Sequence, residues 1–363
     1  MPWLMEEGFT LKTPLTNDHI LDNAGQFDEL NLLHLNEAFE SPAELVKGDI
    51  TQTLESLNRY PDIKRDSLSR AVAKKTGVEV SCQAWGAGAS DLLYRAFNAV
   101  SNAGKNAVAP TPTFWGYERI YGLTKVDIRR VEIADDYQIH AKDILAAMDD
   151  NTGLVSVVTP GSPTGISMAE EDLIELAQKI PADVLFLIDE VYFEFAQNKL
   201  DMIELLRQHR QGHWAVLRSF SKAYALASAR IGYALCSSED VTHRLIESGL
   251  NFPVSSLSFS AAYAVYTDEK FLTDMVHTVS ERREWMYQEL LALGLAPLKS
   301  DTNFVSVSLP LPSVQSLPAL KEAGVLCSAW NHPSYPNHIR ITVGNEQANQ
   351  QVISAITALL KSI

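Results

Sequence analysis

The chain has 363 residues, 46% of them hydrophobic, which allows one large α/β domain with a smaller companion and an ample buried core. A formal net charge of −15 argues against a nucleic-acid surface or an anionic membrane as partner. No apolar run reaches the length of a membrane span, and the start Met1-Pro2-Trp3-Leu4-Met5-Glu6-Glu7 lacks the basic and apolar regions of a secretory leader. Cys82, Cys236 and Cys327 are too few and too scattered for a disulfide framework or a zinc site, so reduced thiols, no bound metal and a cytoplasmic location are expected.

Along the chain, Gly86-Ala87-Gly88-Ala89-Ser90-Asp91 precedes a helical run, Leu92-Leu93-Tyr94-Arg95-Ala96-Phe97. Glycines let a backbone approach a ligand closely, and amides at a helix N-terminus bind phosphate; a tight connection is the ordinary alternative. Short apolar strands are expected at 107–109, 154–158, 184–188, 215–217 and 233–235, with amphipathic helices such as 171–180 between them. That alternation predicts a mostly parallel sheet covered by helices on both faces. From 259 to 293 the pattern turns helical and charged. Strands at 304–307 and 339–343 then predict a smaller α+β unit.

Two segments carry candidate chemistry. Val184-Leu185-Phe186-Leu187-Ile188 reads as a strand buried on both faces and ends in Asp189-Glu190-Val191-Tyr192. A carboxylate there is costly without a cationic partner, and a protonated pyridine nitrogen is one such partner. A helix-capping role is the plain alternative for Asp189. Downstream, Ser219-Phe220-Ser221-Lys222 is followed by Arg230. Desolvation or a neighbouring cation lowers a lysine pKa and frees the amine for Schiff-base chemistry with a carbonyl. The hydroxyls of Ser219 and Ser221 and the Arg230 guanidinium suit a phosphate beside that carbonyl. Phosphate and aldehyde together describe pyridoxal phosphate.

With these pieces the chain resembles the fold-type I pyridoxal-phosphate enzymes of the class I/II aminotransferase superfamily, in particular the histidinol-phosphate aminotransferase group. Tyr60-Pro61-Asp62, Pro112-Thr113-Phe114, Pro163-Thr164-Gly165, Asp189-Glu190-Val191-Tyr192, Ser221-Lys222 with Arg230, and Arg340-Ile341-Thr342-Val343-Gly344 carry the similarity, in the family's order. The resemblance implies a large domain over 46–255 and a discontinuous small one from 1–45 and 256–363. It implies that Gly88, Ala89 and Ser90 hold the cofactor phosphate together with Ser219, Ser221 and Arg230. Phe114 would stack on the ring, with Trp115 and Tyr117 as second choices, and Asp189 would keep the ring nitrogen protonated. Tyr192 would reach the phenolic oxygen, and Lys222 would bind the aldehyde and move the proton. Tyr60 would cross from the second subunit of a homodimer. Arg340 would bind the substrate α-carboxylate, with Asn36 and Asn303 nearby, and the partners would be an amino acid and a 2-oxo acid.

Three departures are informative. Gly161-Ser162 replaces an asparagine pair whose second member reaches the cofactor's phenolic oxygen in relatives, and Ser162 is shorter. Tyr224-Ala225 replaces an aromatic-glycine pair after the lysine, a change expected to be tolerated. Gly324-Val325-Leu326-Cys327-Ser328 puts Ser328 where histidinol-phosphate enzymes have an arginine for the substrate phosphate. That argues against histidinol phosphate as substrate. Trp115, Trp330, His332 and Tyr335 hint at a bulky side-chain pocket, although core packing explains them equally well. An aminotransferase is the leading expectation; a decarboxylase or lyase of threonine-phosphate decarboxylase type, or a non-catalytic binding domain, are the alternatives.

Overall fold

The computed structural model describes residues 30–61 and 66–363; most of the N-terminal segment, and Asp62 of the Tyr60-Pro61-Asp62 motif, lie outside the described residues. After a short β1 (Asn31–Leu32) come seven strands that form one sheet. They are β2 (Gln83–Gly86), β3 (Asn106–Thr111), β4 (Asp127–Glu132), β5 (Thr152–Val158), β6 (Leu185–Asp189), β7 (Trp214–Ser219) and β8 (Gly232–Cys236). Their order is β2-β8-β7-β6-β5-β3-β4. Strands β3 to β7 pair in parallel, and β8 is antiparallel to both β7 and β2.

Side-chain alternation along β6 explains why the sheet is covered on both faces. Phe186 and Ile188 enter one buried cluster with Val155, Val157 and Val216, while Leu187 enters the opposite one with Leu154, Ala215 and Leu217. The helix Glu170–Lys179 starts on three carboxylates that favour the positive end of its dipole, and it buries Leu173, Leu176 and Ala177 against the sheet. Each strand expected from sequence lies within one residue of an observed one. The two edge strands of the large sheet are not among them: β2 is only four residues long, and β4, Asp-Ile-Arg-Arg-Val-Glu, has no buried residue.

A second unit holds β9 (Phe304–Ser308), β10 (Val325–Leu326), β11 (Ser328–Ala329) and β12 (His338–Thr342). β11, β12 and β9 form an antiparallel sheet, and β1 pairs in parallel with β10. Val305, Val307, Ile339 and Ile341 bury one face of it with Val352 and Ile356 of the helix Glu346–Lys361. The charged helical stretch is two helices, Ser256–Thr267 and Glu269–Ala292. Asp268 accepts the Phe271 N–H at 2.8 Å and caps the second. The first packs on Ala43–Thr53 and Ser67–Thr76, with Phe259 and Val265 in the core of the large sheet. A smaller apolar cluster of Tyr192, Ala223, Phe304 and Val343 joins the carboxyl ends of the parallel strands to the C-terminal unit.

Candidate active site

A cavity of about 390 Å³ opens at those carboxyl ends, the usual ligand position of an open α/β sheet. It gathers residues from segments far apart in sequence. Ala89, Ser90, Phe114, Ser162, Asp189, Tyr192, Ser219, Ser221, Lys222, Arg230, Arg340 and Asn36, all expected from sequence, line it. Trp115 lines it too, whereas Tyr117 is buried in the core beneath, its hydroxyl 3.1 Å from Ser156 Oγ.

One wall is an anion cradle. The helix Ala89–Asn102 begins after Gly88, whose φ of 82° is a left-handed conformation that side chains resist. A Cβ on Gly88 would stand 2.6 Å from Arg230 Nη2, and one on Gly232 would stand 2.6 Å from the Ala89 nitrogen. Both glycines therefore let Arg230 and the neighbouring strand close over the helix N-terminus. Arg230 is held by the carbonyls of Ala227 at 2.9 Å and Ala87 at 3.3 Å. Asp91 fixes the turn, accepting from the Ala87 N–H at 2.9 Å and from Arg95. Ser219 Oγ accepts the Ser221 N–H at 3.1 Å, which sets the turn that delivers Lys222.

The opposite group is Asp189, 2% exposed at the end of β6. Its Oδ1 accepts the Val191 N–H at 3.3 Å, and among the described residues it has no ion-pair partner. Burial pushes the carboxyl up to about 7, against the opposing pull of the Val191 N–H, the Tyr117 hydroxyl and the Lys222 charge. Lys222 Nζ donates to the carbonyls of Leu35 at 2.9 Å and Asn36 at 3.0 Å. Burial first, then the Arg340 charge, brings its amine down to about 7, with Arg230 acting the same way. The lowered lysine anticipated from desolvation and a nearby cation is thus present, although the stronger cation is Arg340.

Asn36 ties this group together. Its left-handed backbone (φ 55°) is held by Thr342, whose Oγ1 accepts the Asn36 N–H at 3.0 Å and donates to Asn36 Oδ1 at 3.1 Å. Asn36 Nδ2 donates to the Tyr192 hydroxyl oxygen at 2.8 Å. Asn303 lies outside the cavity lining, buried, and donates to the Asn36 carbonyl at 3.0 Å. Arg340 donates to Ser162 Oγ at 3.1 Å and to the His34 carbonyl at 2.7 Å, and its Nε is buried without a partner among the described residues. Tyr60 lies away from the cavity of its own chain, 80% exposed and stacked on Phe252 at 4.7 Å. Trp330, His332 and Tyr335 are also outside the lining, in an aromatic cluster with Tyr137 and His338.

Sequence reading missed Leu35, Glu37, Leu93, Val158, Val191, Ala227 and Ser228 in the lining, and Thr342 behind it. Val191 and Thr342 sat inside the quoted motifs; the others are ordinary residue types with no local signal. Among the described residues no cluster of His, Cys, Asp and Glu could hold a metal, and no helix is long and apolar enough to cross a membrane. The donor set fits pyridoxal phosphate. The carboxylate of Asp189, with no ion-pair partner among the described residues, can hold a ring nitrogen's proton, the helix N-terminus under Arg230 can hold an anion, and Lys222, its pKa lowered, can take the aldehyde.

The comparisons agree. The family described as aminotransferase class I and II matches residues 23–356. Histidinol-phosphate aminotransferase of Geobacillus sp. (strain WCH70) is 30% identical over 324 residues, covering 88% of this chain and 87% of that one. That of Bacillus pumilus (strain SAFR-032) is 31% identical over 342 residues, covering 93% and 92%. Among solved structures, histidinol-phosphate aminotransferase from Sinorhizobium meliloti in complex with pyridoxal-5′-phosphate superposes with a TM-score of 0.84 at 24% identity, covering 98% and 99%. L-threonine-O-3-phosphate decarboxylase from Porphyromonas gingivalis gives 0.77 at 19% identity, covering 91% and 99%, so the fold by itself leaves the reaction open. The family match over most of its length, with the cavity that the chain builds, makes this protein a member of the class I and II aminotransferases, an enzyme that works with pyridoxal 5′-phosphate.

Proposed function

We propose that this aminotransferase moves an amino group between an α-amino acid and a 2-oxo acid by a ping-pong mechanism, with a donor other than histidinol phosphate. The observation that carries the substrate half is the pairing of Ser328 with Arg340 across β11 and β12. A hydroxyl stands where the resemblance calls for the phosphate-holding arginine, one strand from the guanidinium suited to the α-carboxylate. The other cations of the lining, Lys222 and Arg230, have tasks with the cofactor. Leu35, Leu93, Trp115 and Val191 give the cavity apolar walls, which favour an uncharged side chain over a second phosphate. The two curated relatives compared above bear histidinol phosphate in their names.

Pyridoxal phosphate, when bound, supplies an electrophilic carbonyl and a ring that accepts electrons. Ser90, Ser219, Ser221, Arg230 and the amides of Ala89 and Ser90 would hold its phosphate. Asp189 would hold the ring nitrogen's proton and so regain its ionised form. Tyr192, oriented by Asn36, would donate to the phenolic oxygen, and Phe114 would cover the ring. Lys222 Nζ, neutral for a large fraction of molecules near pH 7, is the nucleophile for the carbonyl; once displaced, it would take the proton from the substrate α-carbon. Arg340, aimed by Ser162 and the His34 carbonyl, would clamp the carboxylate.

Tyr60 belongs to this reading as a phosphate ligand in a partner's site, which makes the functional unit a twofold dimer. Its exposure and its distance from its own cavity support that role. The division into 46–255 against 1–45 with 256–363 also belongs to it, with the second boundary moved past the helix Ser256–Thr267, which packs in the large core. A half-reaction screen of amino acids, following the cofactor's visible absorbance and identifying the product, tests the proposal. An oxo acid formed from a neutral α-amino acid is expected. Efficient turnover of histidinol phosphate would overturn the substrate half, and release of carbon dioxide or ammonia would overturn transamination.

A further inference from the structure

Behind the cavity, the ends of β6 and β7 are tied by a buried ion pair. Glu190 directly follows Asp189, and Arg218 directly precedes Ser219, so strand alternation turns both away from the cavity that Asp189 and Ser219 line. Arg218 Nε and Nη2 both donate to Glu190 Oε2 at 3.1 Å, and the two side chains are almost wholly buried. The same guanidinium lies 3.9 Å from the centroid of the Phe193 ring. Glu190 and Phe193 bracket Val191 and Tyr192, two residues of the cavity wall. One side chain therefore holds both ends of the segment that presents Asp189 and Tyr192. The Glu190 N–H adds a hydrogen bond to the Leu217 carbonyl at 2.9 Å, and Tyr233 faces Arg218 across β8.

A buried ion pair gives little net stability, because apolar residues of the same volume pack as well or better. This one also sits beside a second buried carboxylate, Glu194, whose Oε2 has no hydrogen-bond partner among the described residues. What the pair adds that an apolar contact would not is direction, since a planar guanidinium fixes its partners in angle as well as distance. We infer that Arg218, acting through Glu190 and Phe193, is a positioning residue that holds Asp189 and Tyr192 in register with the bound cofactor. The inference rests on the roles proposed above for those two residues.

Two variants separate positioning from bulk stability. Arg218→Met/Glu190→Met removes both charges of the pair at similar volume, and Arg218→Lys keeps the charge while losing the planar fork. Each is compared with the wild type for the apoprotein's melting temperature, the Kd for pyridoxal phosphate, the pH midpoint of the bound cofactor's absorbance, and kcat and KM. The double variant should melt within a few degrees of the wild type, bind cofactor about tenfold more weakly, and displace the midpoint by about half a pH unit or more. Its kcat should fall more than its KM rises, and Arg218→Lys should lie between it and the wild type. A folded double variant with wild-type Kd and midpoint would overturn the inference. Should the double variant not fold, Arg218→Lys decides: unchanged Kd and midpoint overturn the inference, and a loss in both supports it. Asp189→Asn is the control for the underlying reading, because a wild-type Kd and midpoint there would remove Asp189's role whatever Arg218 does.

Discussion

Ser162 Oγ accepts a hydrogen bond from Arg340 Nη1 at 3.1 Å, and the pair ties the loop after β5 to β12 in the wall of the cavity. A hydroxyl has one proton to give and two lone pairs to receive with. With one lone pair on Arg340, the proton is free for the Tyr192 oxygen, while burial holds that phenol above its ordinary pKa and so keeps on it the proton it would donate. An asparagine at this position could serve the guanidinium through its carbonyl and another oxygen through its amide. Ser162→Ala removes an acceptor from a charged donor. It should raise KM for the amino donor about tenfold while kcat falls less. Ser162→Asn should keep the same product and lower the pH midpoint of the bound cofactor's absorbance. A midpoint identical to the wild type would show that residue 162 does not tune the cofactor.

Lys222 should behave as a base of ordinary nucleophilicity near neutrality. Burial and the Arg340 charge lower its amine from 10.5 to about 7. Acylation of the apoprotein by an amine-selective reagent, followed at this residue by peptide mapping, should therefore rise through a midpoint near 7. Arg340→Leu should move that midpoint upward, since one of the two chief causes is gone. Lys222→Ala should abolish turnover and still retain some cofactor through Ser90, Ser219, Arg230 and Asp189. A midpoint near the ordinary lysine value would end the argument for a neutral nucleophile.

Asp189 trades stability for function in a way that has a sign. Its carboxyl is raised from 3.8 to about 7 by burial, so the folded apoprotein binds a proton there that the unfolded chain has lost. The stability contribution of that proton is complete below 3.8 and disappears as pH rises through 7. Above that pH the buried carboxylate is ionised without a cation, and Asp189→Asn should raise the apoprotein's melting temperature at pH 8. The same variant should lose activity on the order of 10³-fold, because a neutral amide cannot hold the ring nitrogen's proton. An apoprotein no more stable than the wild type at pH 8, with full activity in the holoenzyme, would reduce Asp189 to a strand-end cap.

How much of this was legible in the sequence follows from where the signals lie. Asp189, Ser219, Lys222 and Arg230 stand at the ends of two apolar strands and in one turn, so a local pattern names both the residues and the surfaces they share. The sheet is legible for the same reason, except its two edge strands, the four-residue β2 and β4, whose Arg129, Arg130 and Glu132 belong to a solvated edge. Asn36 and Arg340 are joined only in three dimensions, through Thr342, whose side chain holds Asn36 and whose N–H donates to the Leu33 carbonyl. Resemblance supplied them; composition and spacing could not. The link between Ser162 and Arg340 spans 178 positions and had no sequence trace. Trp330, His332 and Tyr335 show the converse, since aromatic residue type suggested a pocket and ring packing with Tyr137 and His338 used them instead.

Tyr60 is the candidate whose role requires a second chain. It is 80% exposed and stacks on Phe252, itself exposed, on a surface that also displays Leu57 and Leu250. A phenol that serves its own cavity would not be held there, whereas one that reaches a partner's phosphate would. Tyr60→Phe should weaken cofactor retention, and subunit mixing distinguishes the two routes. When chains carrying Tyr60→Phe pair with chains carrying Lys222→Ala, a crossing tyrosine leaves one site of each mixed dimer with both wild-type residues and the other with neither. Cofactor affinity and turnover at the intact site should then return to wild-type values, giving about half the activity per mixed dimer. If Tyr60 acted within its own chain, every Lys222-bearing site would keep the Tyr60→Phe defect. Mixed dimers that show only the weakened affinity of the Tyr60→Phe parent, after exchange has been demonstrated by mass, would place the tyrosine in its own subunit.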